Sequence, residues 1–213
     1  MKANHFSSFS HVELIRWLGT KEEEMWHVTF EYVVLDWIQA NLRSPWLDAV
    51  MTAITHLGDG GVLFMAMALV MLCRPSSRSV GLTLLLALAL EILCCNGLLK
   101  PLLARARPFA AQGGISLLID APTDASFPSG HASAAFTAAA VLMFARRRLC
   151  VPVTILAVLI GFSRLYLYVH FPTDVLGGCA LGYAIGWLSC AMTRPNDAPT
   201  PRFTRRYGKG HVL

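Results

Sequence analysis

Charge is scarce in this sequence: Asp, Glu, Lys and Arg make up 15% of its 213 residues, against 55% hydrophobic residues. A soluble domain usually carries about 25%, so an ordinary water-facing surface is excluded. The hydrophobic residues fall in long runs, not in the alternating stripes of half-buried strands. Metal-ligand spacing is missing among the six cysteines, Cys73, Cys94, Cys95, Cys150, Cys179 and Cys190. All lie in or at the edge of apolar runs, which reads as buried thiols and argues against a disulfide framework. The sequence lacks an Asp/Glu cluster of the kind that holds magnesium, an internal repeat and a low-complexity segment. Its first residues lack the basic-then-apolar pattern of a signal peptide.

Long uncharged runs are what it has. Residues 175–193, 149–163 and 79–90 contain no charged residue, and 126–145 is interrupted only by His131. About 20 apolar residues cross a bilayer as a helix, so these runs predict transmembrane spans over 79–99, 129–145, 149–168 and 172–192. Residues 47–73 form one more span, broken at Gly58-Asp59-Gly60-Gly61. The formal net charge is +5 with a pI near 9.0, but the basic residues cluster at span ends rather than forming a nucleic-acid face. Arg74 and Arg78, Arg146–Arg148, and the tail cluster Arg202, Arg205, Arg206 and Lys209 mark cytoplasmic loops. Residues 100–127 and 169–171 then lie outside.

Five such spans put the N-terminus outside. A sixth through 27–42 would put it inside, but Glu31 and Asp36 make that segment better suited to an amphipathic helix on the membrane surface. The expected fold is therefore all-α: a polytopic transmembrane helix bundle of five or six spans with an N-terminal amphipathic segment. Its parts are a polar and amphipathic segment over 1–44, a transmembrane catalytic domain over 45–193 and a basic cytoplasmic tail over 194–213. Gly178, Gly182 and Gly186 share one face of the last span and allow close helix approach.

Three polar clusters interrupt the apolar chain: Lys100 with Arg107-Pro108, Pro128-Ser129-Gly130-His131, and Ser163-Arg164 with His170 and Asp174. By the charge alternation all three lie at one membrane face. Charges beside a span are costly and need a reason. Lys100, Arg107 and Arg164 supply three positive charges, and arginine forks match phosphate oxygens. Ser129 sits where a helix begins, to cap it or to donate to the anion. The Gly130 amide can approach the anion without an intervening side chain, at a positive dipole end. Phosphate hydrolysis needs a nucleophile and a proton donor, and imidazole suits both. Asp174 stands four residues after His170, with Pro172 opening a helix between them. It can hold His170 in one tautomer as the nucleophile. His131 has no acid at that spacing and takes the proton-donor role.

These clusters resemble the three-part signature of the type-2 phosphatidic acid phosphatase family, shared with vanadium haloperoxidases: Lys-x(6)-Arg-Pro, Pro-Ser-Gly-His and Ser-Arg-x(5)-His-x(3)-Asp. Each is matched without substitution. The similarity covers roughly residues 45–192, reaching back to Pro45-Trp46-Leu47-Asp48 and Thr55-His56-Leu57-Gly58. Members usually have six spans, and a clear first one is missing here. The resemblance implies phosphate binding by Lys100, Arg107, Ser129, Gly130 and Arg164, with His131 as acid, His170 as nucleophile and Asp174 as its partner. It implies a metal-independent, cofactor-free lipid phosphatase of the cell membrane acting at the outer face, with lipid phosphates and membrane lipids as partners. Undecaprenyl diphosphate is the favoured substrate. Phosphatidylglycerophosphate or phosphatidic acid is the alternative, and an anion transporter or a haloperoxidase-like protein the competing classes.

Outside the signature, His56 and Asp59 are expected as interface polar groups. Glu91 is expected to pair with a neighbouring helix or to line a substrate path. Arg105 is expected to contact a headgroup or a lipid phosphate, and residues 110–127 to form the rim or lid of the site.

Overall fold

The structure, a computed structural model, describes residues 30–112 and 114–194. The first 29 residues, Gly113 and the basic tail with Arg202, Arg205, Arg206 and Lys209 lie outside the described residues. Among the described residues the regular structure is all helix, with no strand: α1 (residues 30–42), α2 (Pro45–His56), α3 (Val62–Leu72), α4 (Arg78–Ile92), α5 (Lys100–Leu103), α6 (Pro108–Gln112), α7 (Gly130–Phe144), α8 (Cys150–Tyr166) and α9 (Pro172–Thr193). A π-helical stretch, Leu93–Leu99, joins α4 to α5.

By length and composition, Pro75–Gln112 and Pro172–Thr193 can each cross a membrane. The pair Pro45–His56 and Asp59–Leu72, bent by 42°, makes a third, and α7 and α8 are shorter apolar helices. The bend falls at Gly58-Asp59-Gly60-Gly61, as the sequence predicts. Gly60 and Gly61 adopt φ of 55° and 67°, a region that penalises a Cβ. Large apolar side chains such as Leu69, Leu82, Val151, Val158, Leu176 and Trp187 stay exposed on the bundle's flanks. Apolar exposure on that scale is what a lipid-facing surface presents and a monomeric soluble protein avoids.

The centre of the bundle is α7, packed on α9, α8 and α4. Its alanines, Ala132, Ala134, Ala135, Ala138, Ala139 and Ala140, are all buried, and small residues let helix backbones approach. Across the seam, a Cβ on Gly182 would lie 2.2 Å from the Ser133 carbonyl oxygen, and one on Gly178 would lie 2.5 Å from that of Ser129. The glycine repeat is thus a backbone-to-backbone contact.

Two basic loops meet at one end of the bundle, where Arg147 Nη2 donates to the Ser76 carbonyl at 2.7 Å. The signature residues collect at the other end. There α1 lies across the loop between α8 and α9: Gln39 Nε2 donates to the Tyr166 carbonyl at 2.7 Å and the Tyr168 hydroxyl donates to Asp36 at 2.7 Å. The helix α1 turns Glu31, Leu35 and Ile38 inward and leaves Phe30, Val33 and Trp37 exposed.

Candidate active site

Lys100 opens α5 directly after the π-helical stretch, a distortion frequent at functional sites because it re-aims the following side chains. Its ammonium contacts the Asp124 carboxylate. Arg107 is tied on three sides. Nε donates to the Asp124 carbonyl at 2.9 Å, Nη2 to Asp124 Oδ1 at 2.7 Å and Nη1 to the Val169 carbonyl at 2.7 Å. Asp124 therefore bridges two of the three signature cations. Burial by itself would raise its carboxyl, but the hydrogen bond and charge of Lys100, joined by Arg107, outweigh this and hold it well below the usual carboxylate range. It stays ionised at neutral pH.

His170 sits in the loop between α8 and α9 and is 1% exposed. Its Nε2 lies 3.1 Å from Arg107 Nη1. Guanidinium only donates, so Nε2 accepts and the ring proton belongs on Nδ1. Nδ1 faces Asp174 Oδ2 at 3.6 Å, an ion-pair distance too long for a hydrogen bond. Burial, with the charges of Arg107 and Arg164, pushes His170 down to about 3 despite Asp174. The ring is neutral at pH 7, with its lone pair on Nε2. Two residues earlier, Tyr168 has φ of 61°, a strained conformation for a residue with a Cβ, and its hydroxyl contacts Asp36 and Gln112.

Asp174 is both a cap and a partner to His170. Oδ2 accepts from the Phe171 amide at 2.8 Å and from the Ser126 hydroxyl, and Oδ1 accepts from Arg105 Nη1 at 2.6 Å. Arg105 corrects the sequence reading. It points inward onto Asp174, contacts Glu31 of α1 and lies over the Phe171 ring, 4.2 Å from its centroid. Its geometry is that of a brace behind the histidine rather than of a headgroup contact. Glu31 also contacts the Thr173 hydroxyl. Sequence reasoning missed Glu31 and Ser126 because the contacts span 74 residues in one case and 48 in the other.

The remaining signature residues frame the opposite wall. Arg164 is 2% exposed, and its Nη1 donates to Thr55 Oγ1 at 2.5 Å. Ser129 is the N-cap of α7, yet its hydroxyl does not cap the helix. Oγ is buried with no hydrogen-bond partner among the described residues, which leaves it free to donate to an anion. Space beside Gly130 is bounded by Asn96, Lys100 and Cys95, each more than 3.5 Å from where a Cβ would stand. His131 Nε2 lies 2.8 Å from Asp59 Oδ1, and Asp59 Oδ2 lies 2.7 Å from His56 Nδ1. The expectation that His56 and Asp59 are interface polar groups is overturned, because the bend between α2 and α3 turns both into the site.

These groups line one cavity of about 480 Å³, which includes His56, Asp59, Glu91, Lys100, Arg107, Asp124, Gly130, His131, Arg164 and His170. Glu91 is thus on the cavity wall, and Ile119, Asp120 and Pro122 form its rim, the part assigned to residues 110–127. Ser129 and Asp174 stand behind the lining and are joined by the Ser129 amide donating to the Asp174 carbonyl at 3.0 Å. Three cations, a free helix N-terminus and a neutral histidine around one space can hold a phosphate and attack it.

A model of the PAP2 superfamily matches residues 80–197. The chain is 34% identical to phosphatidylglycerophosphatase B of Bacillus subtilis over 160 residues, 69% of this chain and 75% of the relative. It is 33% identical to an undecaprenyl-diphosphatase of Sulfolobus acidocaldarius over 144 residues, 67% of this chain and 69% of the relative. The crystal structure of a transmembrane PAP2-type phosphatidylglycerolphosphate phosphatase from Bacillus subtilis superposes with a TM-score of 0.67 at 29% identity, covering 83% of this chain and 88% of that one.

Proposed function

The chain belongs to the PAP2 superfamily, and from that membership and its cavity we propose that it is a membrane phosphatase that hydrolyses the phosphate or diphosphate head of a lipid through a phospho-histidine. The observation that carries the proposal is the single cavity in which Lys100, Arg107, Gly130, Arg164, His131 and His170 converge. A transporter would need the cations but not a buried neutral histidine whose lone pair is set on Nε2.

In this reading the substrate phosphate displaces the Asp124 carboxylate from Lys100 and Arg107 and takes up Arg164, the Ser129 hydroxyl and the Gly130 amide. His170 Nε2 attacks phosphorus as the bond to the leaving oxygen breaks, and that oxygen takes a proton from His131. Asp174 stabilises the positive ring that forms, and its 3.6 Å separation closes in the loaded site, since hydrogen bonds of this kind tighten on binding. Water then attacks the phospho-histidine, His131 takes up its proton, and inorganic phosphate leaves. The positive charge comes from side chains, so the reaction is proposed to need no metal.

The catalytic unit is taken as residues 45–193 with five spans, α1 lying over the outer end and the basic loops and tail in the cytoplasm. With 15 residues, α7 is about 22 Å long, less than the roughly 30 Å hydrocarbon core. Its N-terminal Ser129 and His131 are then recessed, within reach of a lipid's phosphate. Among lipids we favour undecaprenyl diphosphate, because three cations suit a diphosphate and an outward site meets the spent carrier. Relatives named for both diphosphate and phosphatidylglycerophosphate hydrolysis make the latter the competing substrate.

The test is phosphate release by purified protein from a panel of lipid phosphates and diphosphates in one detergent. Release by the wild type and none by His170→Ala is expected, and retention by that variant would overturn the mechanism. Phosphatidylglycerophosphate hydrolysed at least about tenfold more efficiently, about 1.4 kcal/mol in the transition state, would reverse the substrate preference alone.

A further inference from the structure

We propose that Asp59 is a positioning residue for His131, whose carboxylate orients the ring through Nε2 and supports the positive charge it carries before Nδ1 delivers a proton to the leaving oxygen. The inference rests on the reading of His131 as the proton donor and adds a residue outside the three signature clusters.

The charges around His131 show why a donor there needs help. Arg164 from α8 and Lys100 from α5 face it across the cavity, and both oppose a further positive charge. Glu91 from α4 and His56 from α2 line the same space. From α9, Gly178 meets the first turn of α7 with bare backbone and brings no charge. Asp59 is the carboxylate in hydrogen-bond contact with the ring, 2.8 Å from Nε2. An ionised carboxylate only accepts, so Nε2 carries a hydrogen, and Nδ1 remains as the nitrogen that serves the leaving oxygen. When phosphate binds, its negative charge offsets Lys100 and Arg164, and Asp59 keeps the second ring proton in place.

The chain is shaped for this contact. A Cβ on Gly58 would stand 2.9 Å from His131 Cδ2, so the ring lies against a backbone that admits no side chain. Gly60 and Gly61, both at positive φ, complete the turn that carries Asp59.

The two histidines are also treated unequally. Asp174 shares its charge with Arg105, Ser126 and the Phe171 amide and stands 3.6 Å from His170. Among the described residues Asp59 bonds only imidazoles, those of His131 and His56. The first arrangement leaves a neutral nucleophile, and in the second the carboxylate offsets part of the opposition that Lys100 and Arg164 present to a charged ring, the division of labour that pairs of titratable groups perform at one working pH. His56, with its side chain 58% exposed, links Asp59 to solvent for proton exchange.

In the step itself the His170 Nε2–phosphorus bond forms and the phosphorus–oxygen bond breaks. The electron pair goes to the leaving oxygen, which takes the Nδ1 proton of His131, while the Nε2 hydrogen stays on the ring and remains donated to Asp59. In the second half, water forms the new bond to phosphorus as that to Nε2 of His170 breaks, and its proton returns to Nδ1 of His131.

The experiment compares phospho-enzyme formation from a lipid phosphate and from nitrophenyl phosphate across pH, for Asp59→Asn, Asp59→Glu and His131→Ala. Asp59→Asn is expected to slow the lipid about a hundredfold, the low end of general acid contributions. It should slow the activated ester less than about threefold on the same reasoning, because that leaving group needs no proton. The alkaline limb of its lipid profile should move to lower pH, and Asp59→Glu should restore part of both. Equal losses on both substrates with an unmoved alkaline limb would overturn the inference. If Asp59→Asn fails to fold, an unmoved limb in Asp59→Glu overturns it instead. The underlying reading is judged separately. If His131→Ala also fails to discriminate between the two substrates, His131 is not the donor. If His131→Ala discriminates and the Asp59 variants do not, only the role of Asp59 falls.

Discussion

Replacing Asp124 with asparagine should tighten binding of phosphate rather than weaken it. Its carboxylate contacts Lys100 and accepts from Arg107 Nη2 at 2.7 Å. A substrate must win both cations from it. The two cationic side chains are 10% and 5% exposed, while that of Asp124 is 50% exposed. The contest is therefore stronger than at a surface ion pair, about 0.2–1 kcal/mol, yet screened on one side. About 1.4 kcal/mol is reasonable, equivalent to tenfold in affinity. Asp124→Asn keeps the shape and removes the charge, so the inhibition constant for orthophosphate and the KM for lipid should each fall about tenfold, with kcat little changed. The pH dependence follows from the depressed carboxyl of Asp124. Its ion pairs are fully formed above the ordinary carboxylate range and are lost only as pH falls through the lower folded value. The ratio of wild-type to variant inhibition constants should thus be constant from pH 5 to 8. The assay is competitive inhibition of nitrophenyl phosphate hydrolysis by orthophosphate in detergent. Unchanged or weaker phosphate binding by the variant would refute the argument and make Asp124 a support for the cations instead of their competitor.

His170→Ala should abolish turnover and leave no acid-quenched phospho-enzyme, whereas Asp174→Asn should cut kcat by about a thousandfold or more, as in triads with a mis-set tautomer. Arg105→Ala should lower kcat by tenfold or more, on the order of 1.4 kcal/mol, with KM nearly constant, since Arg105 holds Asp174 and does not line the cavity that His131 and His170 share. A matching rise in KM would return it to the substrate. Activity should survive excess chelator and be inhibited by vanadate, and loss in chelator restored by magnesium would refute the side-chain charge scheme. In intact cells with the native cysteines replaced, a label applied from outside should reach Ser116→Cys, which is exposed, but not Arg147→Cys, and the opposite pattern would invert the bundle.

The catalytic cluster was legible because its residues recur at short fixed spacings within otherwise apolar runs, so that Lys100, Arg107, His131, Arg164, His170 and Asp174 stood out as costs needing a reason. The helices were legible for the same cause: the predicted ends at 129, 149 and 172 lie within one residue of the starts of α7, α8 and α9. What escaped were residues whose role depends on a bend or on distant chain. The break at Gly58-Asp59-Gly60-Gly61 was visible, but only the fold aims Asp59 at His131, 72 residues away. Likewise Arg105 looked like a second phosphate ligand beside Arg107, because spacing alone does not say that one of two neighbouring guanidiniums turns back to a carboxylate.

The glycine seam between α7 and α9 sets the register of the reaction. Gly178, Gly182 and Gly186 lie under the carbonyls of Ser129, Ser133 and Thr137 respectively, so α9 cannot slide along α7 without driving a backbone into a backbone. The N-terminal turn of α7 bears Ser129 and His131, and that of α9 bears Asp174, so their spacing is ruled by a scale whose last mark, Gly186, is about 18 Å from Asp174 along the helix. A methyl group added at that far mark touches nothing in the cavity, yet it should displace the carboxylate from its histidine by a fraction of an ångström. Its signature would be a fall in kcat in a protein that still folds and still binds phosphate.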